Sequence, residues 1–157
     1  MSDSGSNDAG NLEQDIKSYL DKAKDEVTTL GKNTPERARY SSSLANQFCK
    51  QFQRTNADAD LEDAISFARE AVEGLDPNDP KLPGRCNNLA NLLGKRYDKH
   101  HKKEDLDEAV KFAKQAADSN IPDNRAGRLN NLLNLLSKQL KELQASKPGG
   151  ANNTSNS

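Results

Sequence analysis

The stretch Gly84–Ser119, GRCNNLANLLGKRYDKHHKKEDLDEAVKFAKQAADS, is written more than once in this chain. Laid over residues 39–74, it pairs Leu89-Ala90-Asn91 with Leu44-Ala45-Asn46, 45 positions earlier. At the same shift Lys95 falls on Lys50, Tyr97 on Phe52 and Leu106 on Leu61. Ala109, Phe112, Ala113 and Ala116 fall on Ala64, Phe67, Ala68 and Ala71. Moved forward by 43, GRCNNLANLL becomes GRLNNLLNLL, residues 127–136. A fixed period of this length is the signature of a stacked array, in which each unit buries its apolar face against the next.

Apolar spacing turns the period into helices. Ile16, Leu20, Ala23, Val27 and Leu30 form one helical stripe, and 45 positions on they become Leu61, Ile65, Ala68, Val72 and Leu75. The first helix, Leu12–Leu30, is therefore a second half whose first half is missing. Gly31 to Pro35 breaks the chain, with Thr34 as the expected cap and Pro35 at the first helical position. Further helices are expected over 35–54, 61–74 (capped by Asp60), 84–99, 104–119 and 124–145. The breaks between them carry Asp76-Pro77 and Ile121-Pro122. The expected fold is all-α: a short right-handed α-solenoid of antiparallel helix pairs, set at five helices. The domain covers 11–145, between disordered tails at 1–10 and 146–157.

Composition narrows the function. Hydrophobic residues make up 32% of the 157, aromatics 4%, and the mean hydropathy is −1.00. The core must be thin and partly built of alanine, which suits a solenoid better than a globule. Lysine and arginine number 23 against 24 aspartates and glutamates, so no general attraction to phosphate backbones is expected and nucleic acid is excluded as a partner. No apolar run reaches membrane-spanning length, and MSDSGSNDAG lacks the basic and apolar parts of a signal peptide. No membrane association is expected, and the cytoplasm is the expected compartment. The sequons at Asn152 and Asn153 then read as plain polar tail.

No catalytic constellation is visible, so the chain is expected not to be an enzyme and to need no cofactor or metal. Cys49 and Cys86 match no zinc spacing and are expected to be buried, reduced thiols. His100-His101 sits among lysines at a turn and is expected to be solvated.

The pairs resemble tetratricopeptide repeats of the long-period kind found in kinesin light chains and many fungal repeat proteins. Leu89-Ala90-Asn91-Leu92-Leu93 with Tyr97 carries the resemblance in the first helix. Leu106, Ala109, Phe112, Ala113 and Ala116 carry it in the second. The period of 45 departs from the usual 34 or so, and HEAT-like pairs have a compatible period. The Trp and Gly of the strict pattern are absent, and Leu133 stands where a small residue belongs.

One feature is not explained by packing. Asn46, Asn91 and Asn134 recur at the repeat period, each followed four residues later by Lys50, Lys95 and Lys138. Residues four apart share a helix face, and asparagine is a poor helix former with both a donor and an acceptor. The resemblance places this stripe in the concave groove. It implies that the asparagines clamp an extended peptide or partner helix while the lysines attract acidic groups. Ser42, Asn87 and Asn130 stand one turn earlier, where carboxylate-clamp members carry a basic residue, so recognition of a chain-terminal carboxylate is not implied. The other reading is that the asparagines bond between helices or face water.

A structural, self-associating piece of a longer array is the alternative function. Leu129, Leu132, Leu133, Leu136, Leu140 and Leu143 form one stripe on the last helix, and no second half follows. Leu135 lies off that stripe and is expected at an open surface, where it would support a weak two-fold homodimer through 129–143.

Overall fold

The computed structural model describes residues 4–149, which are all-α with no strand among them. Six helices follow in order: α1 Ser4–Thr29, α2 Pro35–Thr55, α3 Asp58–Glu73, α4 Leu82–His100, α5 Lys103–Ala117 and α6 Arg125–Ala145. The count is six rather than five, one helix for each of the six segments marked by the apolar spacing: two inner pairs and a single half-repeat at either end. Each helix packs against its neighbours in the chain, and α6 also reaches α4. This is the arrangement of an α-solenoid.

α1 begins at Ser4, ahead of the expected Leu12. The described part of the stretch expected to be disordered is therefore helical. It contains no proline and runs without a break into the amphipathic segment, so helix simply propagates. Residues 1–3 and 150–157, with both sequons, lie outside the described residues. α6 ends at Ala145, as the stripe requires.

The helix ends show which signals the chain uses. Arg37 N–H donates to Thr34 Oγ1 at 3.2 Å, and Pro35 opens α2 as expected. Asp60 does not cap α3. That helix starts at Asp58 behind Ala57, and the Asp60 carboxylate accepts from Thr55 Oγ1 at 2.7 Å instead. Asn56 and His101, 45 apart, close α2 and α4 in the left-handed region at φ 53° and 54°. Each donates its backbone N–H to the carbonyl of Phe52 or Tyr97 at 2.7 Å. His101 is thus a helix-terminating residue, lying edge-on to Tyr97.

The core follows the repeat. Ala64, Leu61, Ala109, Leu106, Leu89 and Ala90 are fully buried. Alanines on α3 and α5 allow close helix approach, and the leucines of α4 fill the space between. Phe67 stacks on Phe48 at 5.8 Å, a packing role. Charge repeats too: Lys24 on α1 pairs with Asp63 on α3 at 2.7 Å, and Arg69 on α3 pairs with Glu108 on α5, each residue 45 on from its counterpart.

Candidate interaction groove

α2, α4 and α6 are the first halves of successive repeats, and they share one inward face. On that face the side chains at the Asn position and three, four and seven residues later lie along a helix in line. For α4 these are Asn91, Gly94, Lys95 and Asp98. For α6 they are Asn134, Ser137, Lys138 and Lys141. For α2 they start with Asn46 and Cys49. All ten line a single groove of about 670 Å³.

Five of the six expected site residues are in the groove wall: Asn46, Asn91, Lys95, Asn134 and Lys138. Lys50 is exposed but lies outside the lining. The three asparagines are exposed, while Lys95 and Lys138 are half-buried. Among the described residues, the asparagine–asparagine bond that joins two repeats is Asn131 Nδ2 to Asn87 Oδ1, 2.9 Å. Bonding between helices is thus seen in a neighbouring row, Asn87 and Asn131.

Small residues keep the groove open. Gly94 and Ser137 occupy the position three after the asparagine, and behind Gly94 sits Leu135. A methyl group built on Gly94 would come within 3.2 Å of Leu135 Cδ2. Leu135 is only 3% exposed, so it anchors α6 to α4 and is not the surface residue expected from the stripe. It lies off the α6 stripe because it faces backwards, into the preceding repeat.

Charge in the groove is predominantly positive. Lys95, Lys138 and Lys141 are set against a single carboxylate, Asp98, which holds Lys138 Nζ at 2.6 Å. Asp98 and Lys141 were not singled out in the sequence, although both follow their asparagine by seven residues, two turns along the same face. Cys49 also lines the groove and is half-buried, which corrects the expectation of two buried thiols. Cys86 is fully buried, and burial pushes its thiol up to about 11.

Among the described residues there is no group of three or more His, Cys, Asp or Glu placed to hold a metal ion. His100 Nε2 lies 3.2 Å from Asp58, which also pairs with Lys99 at 2.6 Å, so the histidine stands in an inter-repeat ion cluster between α4 and α3. Among the described residues no helix is long and apolar enough to cross a membrane.

Residues 84–123 match the family model of the tetratricopeptide repeat. The matched stretch contains nearly all of α4 and the whole of α5, one complete helix pair. With six helices in the same grammar, the chain is a tetratricopeptide-like helical repeat. No curated protein and no solved structure matches the chain.

Proposed function

We propose that this chain is a non-enzymatic protein-interaction module that takes an extended, acidic peptide along the groove of α2, α4 and α6. The observation that carries the reading is the alignment of Asn46, Asn91 and Asn134, with Lys95 and Lys138, in one open groove. An extended peptide presents backbone N–H and C=O groups at regular intervals. A row of primary amides, each both donor and acceptor, matches those groups without fixing the peptide's side chains. The lysines add the sequence preference, since they attract carboxylates and steer acidic ligands inward. Lys138 already binds a carboxylate in this way, that of Asp98. Asparagine in mid-helix costs helix stability, and a binding role offsets that cost.

Selection of peptides from a random display library against the full chain tests the reading. The expected peptides are rich in Asp and Glu. Asn91→Ala should weaken them by about 1–2 kcal/mol, the cost of leaving a bound backbone group unpaired. Thermal stability should hold, because alanine replaces a poor helix former at an exposed position. Loss of stability with binding intact would mean that Asn91 is structural and that the peptide sits elsewhere.

A further inference from the structure

The chain has two faces that its own repeats leave uncovered, and the repeat register relates them to each other. The first is a groove of about 680 Å³ between α1 and α2, lined on α1 by Ile16, Tyr19, Leu20 and Ala23 and on α2 by Tyr40 and Leu44. Forty-five residues on, the α1 positions become Leu61, Ala64, Ile65 and Ala68 of α3, all buried beneath the first-half helix of their own repeat. The groove is therefore the seat of a first-half helix. Tyr19 is 68% exposed where Ala64 is 0%.

The second face is on α6. Leu129, Leu133 and Leu140 are 42%, 62% and 56% exposed. Forty-three residues earlier their counterparts on α4 are Cys86, Ala90 and Tyr97, each buried. α4 is covered there by α5, its second half, whose Ala116 clusters with Cys86, and by α6, whose Glu142 accepts from the Tyr97 hydroxyl. α6 is a first-half helix lacking that cover, and α1 is a second-half helix lacking its first half. Among the described residues nothing lies over either face.

We propose that the two faces belong to each other: α6 of one copy seats in the α1–α2 groove of the next. The junction repeats across copies the helix pairing made inside the chain, so it is continuous with an interface the structure already contains. Charge agrees at one end of it. Arg37 on α2 holds Glu70 on α3 at 2.9 Å. The positions that correspond on α6 and α1 are Arg125 and Asp25, again a base and an acid, and both are exposed.

Two substitutions make the junction weaker than the internal pairs. Leu133 and Tyr19 stand where α4 and α5 carry Ala90 and Ala109, both fully buried in one core, so α6 must sit farther from α1 than α4 does from α5. The register also sets Lys141 near Lys50 of the next copy, where α4 and α6 have Asp98 beside Lys138. The association is consequently reversible and concentration-dependent. Because the contact is head-to-tail, it has no closing symmetry and adds copies end to end.

Sedimentation of the full chain tests this with two variants at exposed positions, Tyr19→Glu in the groove and Leu140→Glu on α6. Circular dichroism first establishes that both keep the helical fold. Wild type should sediment faster as concentration rises, and each variant alone should stay monomeric. An equimolar mixture of the two should form a one-to-one dimer and nothing larger, because one intact face remains on each partner. A wild type that is monomeric at every concentration overturns the proposal. So does a mixture that stays monomeric. Association abolished by Leu140→Glu but untouched by Tyr19→Glu also overturns it, in favour of a two-fold contact between α6 helices.

Discussion

Arg128 reaches back from α6 to the carbonyl of Ala116 at the end of α5, Nε to O 2.8 Å. Its other nitrogens donate to the carbonyls of Asp123 and Ile121 in the connecting loop, and the residue is 2% exposed. Arg85 does the same one repeat earlier, donating from Nη1 to the carbonyl of Ala71 at 3.1 Å. The carbonyls at a helix C-terminus have no partner within the helix, and a cation there also suits the helix dipole. These two arginines are thus built-in caps that fasten each first-half helix to the second half before it. Arg128→Met should cost about 1.5–3 kcal/mol, the penalty for leaving buried carbonyls without a charged donor. Urea unfolding measures it, and a loss below about 0.5 kcal/mol would show that the loop rearranges to satisfy itself.

Gly74 should tolerate no side chain. It closes α3 at φ −81°, so backbone strain is not the reason. A Cβ there would lie 2.7 Å from Ala38 Cβ in α2 and 3.2 Å from the carbonyl oxygen of Thr34, the residue that caps α2. Gly74→Ala should lower stability by about 1–3 kcal/mol through overpacking. Gly84, with nothing within 4 Å, is the control. Gly84→Ala in α4 should leave stability unchanged or raise it by about 0.5–1 kcal/mol. Equal effects at the two sites would contradict the close approach of α3 to α2.

Acid should loosen the inter-helix ion pairs. Glu70 accepts from Arg37 and from Ser41 Oγ at 3.0 Å, and the Arg37 guanidinium holds its carboxyl below the ordinary 4.5. Arg69 does the same for Glu108, and Lys99 for Asp58. Each group binds its proton less readily folded than unfolded. Its stabilisation is therefore complete above the ordinary carboxylate range and is lost as pH falls through the lowered folded value. The urea midpoint should be flat from neutral down to about pH 5 and drop below it. Glu70→Gln should shallow that drop, and an unchanged acid limb would remove Glu70 from the account.

Much of this architecture was legible because repetition multiplies each signal. A stripe such as Leu61, Ile65, Ala68 says little once, but its copies at α1 and α5 remove the ambiguity. Asn46, Asn91 and Asn134 stood out for the same reason, and five of the six residues read as a site share a groove. Lys50 does not line it, because a period in sequence does not fix how far a long side chain reaches. What repetition could not show was which face of α6 points backwards. Leu135 reads as off-stripe when helix α6 is considered alone, and it is buried only because Gly94, in the preceding repeat, leaves room for it. The capping arginines were hidden in plain view within the repeated Gly-Arg pair. A buried charge is recognised by its partners, and those partners are main-chain carbonyls that leave no trace in sequence.

The two cysteines should react on different timescales. Cys86 is fully buried, and its thiol titrates at about 11 for want of solvation. Cys49 is half-buried in the groove wall. Because the thiolate is the reactive form, a disulfide reagent at about pH 8 should modify one thiol per native chain and the second only on unfolding. Mass spectrometry after brief exposure should find the label on Cys49. Equal labelling of both would mean that α4 opens as readily as the groove.

Asp98 should act as an internal competitor for the ligand. Its carboxylate holds Lys138 at 2.6 Å on a part-exposed ion pair, which is worth less than about 1 kcal/mol to the fold. Asp98→Asn should leave thermal stability almost unchanged for that reason. In the groove it removes the single negative charge facing Lys95, Lys138 and Lys141. An acidic peptide selected against the wild-type chain should then bind about fivefold more tightly, the factor that corresponds to roughly 1 kcal/mol of recovered attraction. The gain should shrink as salt is raised, since the charges involved are partly exposed. Fluorescence anisotropy of a labelled peptide, measured at low and high salt, reads both effects. An affinity that stays the same or falls would place the acidic peptide outside the groove, or show that Lys138 needs Asp98 to hold it in position.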